Sequence, residues 1–146
     1  MSTPFDSNVF VGNWTYRSWL NDTNLNTQPN DLLFGSGTIT ITEAPMALLT
    51  GTIGGPGWQL ALHGSRSYGN PMTVQFWGKG LVGGAEWIYA YVGYLVPEWP
   101  DGVQQKTAMV GSIVRVIPHP ATDSQGNVVG TSPAGVVASW YAVKQD

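Results

Sequence analysis

No apolar period of 3.6 residues persists anywhere in this chain. It is instead punctuated by Gly, Pro, Asn and Asp into short runs rich in β-branched and aromatic residues, the mark of an all-β protein. Eight such runs are read: Gly12–Leu20, Gly35–Glu43, Met46–Ile53, Gly57–Ser65, Met72–Gly80, Ala85–Val96, Lys106–Ile117 and Gly135–Val143. Most connections are short, so consecutive runs should pair as antiparallel neighbours. Asn21–Phe34, Pro97–Gln105 and Pro118–Ala134 are longer and are read as loops. Sequential hairpins over eight strands predict a closed up-and-down barrel rather than a sandwich, because closure removes the exposed edges. A barrel of this size encloses packed side chains or one small ligand. At 146 residues the chain makes one domain, 1–146.

Alternation along the runs assigns faces. Trp14, Tyr16, Ser18 and Leu20 share one side of the first strand. Trp58, Leu60 and Leu62 oppose Gln59 and His63. The run Met72–Gly80 has an aromatic on each face, Phe76 and Trp77, so its inward side is open. The last three runs are apolar on both faces: after Glu86, Ala85–Val96 alternates nothing polar. A strand with one wet face should alternate. Such a surface needs a cover, and the chain has no spare helix. A homodimer or homotetramer packed through 85–96, 106–117 and 135–143 is therefore expected, with Val110, Val114 and Val116 outward and Met109 and Ile113 filling the barrel.

Several functions are excluded or disfavoured. Charged residues make up only 10% of the chain, with a net charge of −3 and scattered Lys and Arg, which argues against a nucleic-acid partner. No apolar run is long enough for a membrane helix. The N-terminus lacks the basic and apolar regions of a signal peptide, so a cytoplasmic protein is expected. Absence of cysteine removes disulfides and thiol chemistry. The two histidines, His63 in a strand and His119 between two prolines, have no metal-ligand spacing, and no metal or other cofactor is expected. Glu43, Glu86 and Glu98 show no acid–base spacing; Glu86 reads as a turn or rim residue. No P-loop, dinucleotide fingerprint or nucleophile elbow occurs.

Against that background several segments resemble the avidin and streptavidin family. "GNW" at Gly12–Trp14 resembles the opening of lipocalin and avidin barrels. "LTGTI" at Leu49–Ile53, "GWQLAL" at Gly57–Leu62, "FWGKGLVGGAEWI" at Phe76–Ile88 and "MVGSIVRV" at Met109–Val116 follow in the family's order. The resemblance implies a calycin-type barrel whose late strands contact neighbouring subunits. It also implies that Arg17 or Arg115 stacks on Trp14 at the barrel floor. Most biotin-contacting positions are not retained: Tyr16, Ile53, Gly55 and Ile113 stand where the family places polar partners, and Leu62 where it places an aromatic. Trp77 and Gln75 match the family's cage tryptophan and the polar position before it. An unpaired polar group in an apolar pocket costs about 1–3 kcal/mol, so loss of biotin binding is expected.

Many rings remain to be explained: Trp14, Tyr16, Trp58, Trp77, Trp87, Tyr89, Tyr91 and Trp140. They serve either a packed core or an aromatic-lined pocket with polar tips. The loop "PEWPDG" displays Trp99, placed to reach over a barrel mouth, its own or a neighbour's. The expected ligand-binding residues are Tyr16, Gln75, Trp77, Tyr89, Tyr91 and Trp99. The expected function is binding of an apolar or aromatic small molecule other than biotin. A cofactor-free cyclase or isomerase and a structural oligomer with a filled barrel are the alternatives.

Overall fold

The computed structural model describes residues 8–145. Among them the barrel is built from β1 (Gly12–Leu20), β2 (Leu33–Glu43), β3 (Leu48–Gly55), β4 (Trp58–Arg66), β5 (Thr73–Val82), β6 (Ala85–Leu95), β7 (Ala108–Arg115) and β10 (Val137–Gln145). All neighbours are antiparallel and the sheet closes in the order β1-β10-β7-β6-β5-β4-β3-β2. The eight expected strands are thus present in an up-and-down barrel. The β5–β6 hairpin turns through Gly83 and Gly84, with φ of 59° and 83°. Two consecutive left-handed residues make the tight turn whose twist suits a hairpin.

Two differences from the sequence reading have local causes. The third strand begins at Leu48 rather than Met46, because Met46 and Ala47 occupy left-handed conformations (φ 61° and 65°) that belong to a turn. The segment expected as a loop between β7 and β10 contains a hairpin, β8 (His119–Thr122) and β9 (Val128–Ser132). Its turn is held by Asp123 Oδ1, which accepts the amides of Gln125 and Asn127, both at 2.9 Å. This hairpin is a separate two-stranded sheet outside the barrel.

Inside, the alternation resolves into a ring-rich core. Trp14, Tyr16 and Ser18 of β1 point inward, as do Ile39, Ile53, Leu60 and Leu62. On β5 the interior residues are Val74 and Phe76, whereas Trp77 is 51% exposed on the outer face. Phe76 stacks on Tyr91 at a centroid separation of 4.9 Å, and Trp140 meets both edge-on at 5.9 and 5.8 Å. Edge-to-face and offset contacts of this kind contribute about 0.5–1.5 kcal/mol each beyond simple burial. Trp140 Nε1 donates to the carbonyls of Val92 and Ser112, at 3.1 and 3.0 Å.

One end of the barrel is sealed. Phe10 and Trp14 are fully buried there, and Trp14 Nε1 donates to the Phe10 carbonyl at 3.0 Å. The guanidinium of Arg66 lies 5.1 Å from the Phe10 ring and 4.1 Å from that of Tyr68, and Lys144 Nζ lies 5.8 Å from the Trp14 ring. The floor arginine is therefore Arg66, not Arg17 or Arg115. Arg17 projects outward from β1, and Arg115 stands at the C-terminal end of β7, at the opposite mouth.

Met109 and Ile113 of β7 face inward and Val110 and Val114 outward. Register sets Val110 between Tyr94 and Tyr141, and Val114 between Ala90 and Val137. Val92 is 52% and Val137 53% exposed, so neither the loops nor the hairpin covers this face.

Candidate functional site

At the mouth opposite the floor the side chains do not fill the barrel. A cavity of about 170 Å³ remains, lined by Tyr16, Phe34, Gly35, Trp58, Trp87, Tyr89, Tyr91 and Ile113. Its base is Tyr91, Tyr16 and Ile113, all buried; its rim is Phe34, Trp58 and Trp87, all partly exposed, so it opens to solvent. Gly35 helps to leave the space: β2 enters the barrel with no side chain beside Tyr16 and Ser18. Trp58 at the start of β4 and Trp87 at the start of β6 stand side by side on the rim, with β5 between their strands and ring centroids 6.4 Å apart.

The polar tips fall in two groups. Near the base, the Tyr16 hydroxyl donates to Ser18 Oγ at 2.7 Å, and Ser18 Oγ donates to the Gly35 carbonyl at 3.4 Å. Burial pushes the Tyr16 phenol up to about 12, and burial together with the neighbouring Tyr16 holds Tyr91 well above the ordinary tyrosine range. Both phenols stay neutral across the physiological range.

Near the rim, Tyr89 joins His119 and Arg115. His119 Nδ1 lies 3.1 Å from the Pro120 carbonyl, which only accepts, so Nδ1 carries the hydrogen. In the neutral ring Nε2 is then the acceptor, and the Tyr89 hydroxyl donates to it at 2.8 Å. Arg115 Nε in turn donates to the Tyr89 oxygen at 3.1 Å, and Nη1 to the Pro133 carbonyl at 3.1 Å. The imidazole stacks on Trp87 with centroids 4.1 Å apart and planes 16° from parallel. Burial lowers the His119 pKa; its bond to Pro120 opposes that shift and the charge of Arg115 reinforces it. The imidazole is therefore neutral at neutral pH.

Of the residues expected to bind a ligand, Tyr16, Tyr89 and Tyr91 come together on the cavity wall. Gln75 and Trp77 do not: both project from the outer face of β5, and Phe76 takes the interior place. A one-residue difference in reading a strand exchanges its faces. Trp99 is 78% exposed on the β6–β7 loop. That loop starts beside Val9 and Met72 at the sealed end, so Trp99 does not reach this barrel's own mouth. Ile53 and Ile113 point inward and are buried. His63 lies exposed on the outer face of β4, and among the described residues no three histidines or carboxylates gather as a metal site. The sequence reading missed His119 as the partner of the wall residues Trp87 and Tyr89. The only hint was the β-branched "VVGT" at Val128–Thr131, which pairs back on the His119 strand. Among the described residues no helix is long and apolar enough to cross a membrane. Compared with models of protein families, with curated proteins and with solved structures, the chain finds no match.

Proposed function

We propose that this protein binds a small, mostly apolar molecule carrying one aromatic ring, held in the open end of the barrel. The observation that carries this reading is the contrast between the two ends: one is sealed by Phe10, Trp14 and Arg66, while the other holds a cavity of about 170 Å³ walled by rings and by Ile113. An apolar cavity of about 150 Å³ is enough to bind benzene. The volume is below the roughly 300 Å³ at which drug-sized pockets begin, which limits the ligand to about one ring system. The avidin-like order of motifs agrees with a ligand at a barrel mouth, and the apolar lining speaks against biotin. An unfilled interior also speaks against a purely structural barrel. Titration calorimetry with phenol and indole tests the reading. For about seven to nine heavy atoms, a Kd of roughly 0.1–1 mM is expected. Heat no greater than dilution at 5 mM ligand overturns it.

A second reading, a cofactor-free enzyme in the same cavity, is favoured by the neutral imidazole of His119 bonded to the wall residue Tyr89. The Tyr89 oxygen can take a proton from a carbon next to a carbonyl while its own hydrogen passes to His119 Nε2. Wild-type protein should then accelerate deuterium exchange at the methyl group of acetophenone, and His119→Gln should not. Equal rates with and without protein leave binding alone.

The outer face of β6, β7 and β10 supports a further element of the proposal, a homodimer or homotetramer packed through these strands. Two-fold closure puts the same Val110-centred patch on both sides. Cytoplasmic residence remains part of the same proposal.

A further inference from the structure

Resting on the ring-binding reading above, a more specific property follows from the hydrogen-bond inventory at the rim. The Tyr89 oxygen has one hydrogen and two acceptor positions. With His119 neutral, the hydrogen goes to His119 Nε2 and one acceptor position to Arg115 Nε. What the hydroxyl has left is a single acceptor position, on a side chain that lines the cavity. A ligand meeting it must bring a donor.

Protonation of His119 reverses this arrangement. Both imidazolium nitrogens are donors. Nδ1 keeps the Pro120 carbonyl, and Nε2–H must now donate to the Tyr89 oxygen. With Arg115 Nε on the other acceptor position, the hydroxyl hydrogen has no acceptor in the wall and turns to the cavity. A ligand meeting it must then bring an acceptor. The titratable groups facing His119 are Tyr89 from β6 and Arg115 from β7; the remaining neighbour, Trp87, is uncharged.

We propose that Tyr89 and His119 form a proton-controlled selector for the ligand's polar end. With His119 neutral the cavity takes a ring bearing a hydroxyl or N–H donor, of phenol or indole type. With His119 protonated a donor is no longer required, and a ring bearing an acceptor alone is taken as well. Burial and the Arg115 charge keep His119 neutral at neutral pH, so the donor-bearing class is the resident one.

Phenol and benzonitrile are the probes: one ring each, the first with a donor, the second with an acceptor alone, and neither titrating between pH 4.5 and 7.5. The ratio of their affinities is measured by calorimetry at both pH values. In the wild type it should shift toward benzonitrile at pH 4.5 by about fivefold, the worth of one exchanged hydrogen bond. In Tyr89→Phe the ratio should stay within about twofold across the same range. In His119→Phe the Tyr89 hydroxyl keeps its hydrogen and one acceptor position free for either probe, so the ratio should stay within about twofold across the same range. Thermal melts at each pH establish that every protein compared is folded. A wild-type ratio that does not move with pH, or one that still moves in Tyr89→Phe, overturns the selector while leaving ring binding intact. Absence of binding by both probes at both pH values overturns the selector and the ring-binding reading together.

Discussion

Replacing Gly35 by valine should stabilise the protein and abolish its ligand site in one step. Gly35 lies on the cavity wall, and its φ is not in the left-handed region, so its backbone suits a β-branched residue. A Cβ there would sit 3.4 Å from Ser18 Oγ and 3.7 Å from Tyr16 Cε2, which is ordinary contact. The two further methyl groups extend into the open volume of about 170 Å³. Three added carbons at about 0.8 kcal/mol each give an upper value near 2.4 kcal/mol. Removing a strand glycine adds about 0.5–1 kcal/mol. Incomplete burial at a solvent-open mouth reduces the sum, so a net gain of about 1–2 kcal/mol is expected. For a chain of this size that raises Tm by about 3–8 °C. Thermal unfolding by circular dichroism, at one fixed protein concentration, reads the stability. Calorimetry on the same samples should show phenol affinity reduced at least tenfold. Destabilisation by 1 kcal/mol or more would mean that the space beside Gly35 is not free. Stabilisation with unchanged phenol binding would put the ligand elsewhere.

Other consequences are as direct. Val110→Lys puts a charge between Tyr94 and Tyr141 on the outer face, and should convert a wild-type oligomer to monomer in sedimentation without loss of β signal; a monomeric wild type at high micromolar concentration removes the interface. Biotin should not bind at micromolar concentration, because Ile53 and Ile113 face the interior as aliphatics; tight binding by calorimetry contradicts the assignment of those positions. Stability should fall as pH drops below about 6.5 toward the lowered folded value of His119. In that window the unfolded chain holds more protons, so the sign is a loss with acid. His119→Gln should show a flatter decline in denaturant titrations across the same window; an identical decline assigns the loss to other groups.

The barrel was legible because strand and turn signals are local: each of the eight runs has its own β-branched and aromatic residues and its own turn residues. Period two groups Met109 with Ile113 and Val110 with Val114, and the larger pair fills a barrel better; that pair is the inward one. Where alternation was ambiguous, the likeness to avidins favoured the wrong face of β5, and Trp77 and Gln75 went to the pocket while Phe76 fills the core. The floor arginine was misplaced for a related reason. Arg66 ends β4 and reaches Phe10 across the barrel, a contact between residues 56 positions apart that no local pattern records. His119 was illegible in the same way. Its partners Trp87, Tyr89 and Arg115 belong to β6 and to the end of β7, and only the β8–β9 hairpin brings the ring to them. A histidine between two prolines reads as a loop until the pairing of His119 with Ser132 is known.

The central claim is that a single ring enters the mouth defined by Trp58 and Trp87. Seven tryptophans give seven indole N–H signals in an ¹H–¹⁵N spectrum, and they divide by position. Trp58 and Trp87 stand at the rim, Trp14 and Trp140 are buried below, and Trp19, Trp77 and Trp99 lie on the outside. Addition of phenol to millimolar concentration should shift the Trp58 and Trp87 indole signals and the Ile113 methyl signals in saturable fashion, with one shared Kd, and leave Trp14, Trp77 and Trp99 in place. Unmoved Trp58 and Trp87 signals, or saturable shifts confined to Trp77 or Trp99, would contradict the account.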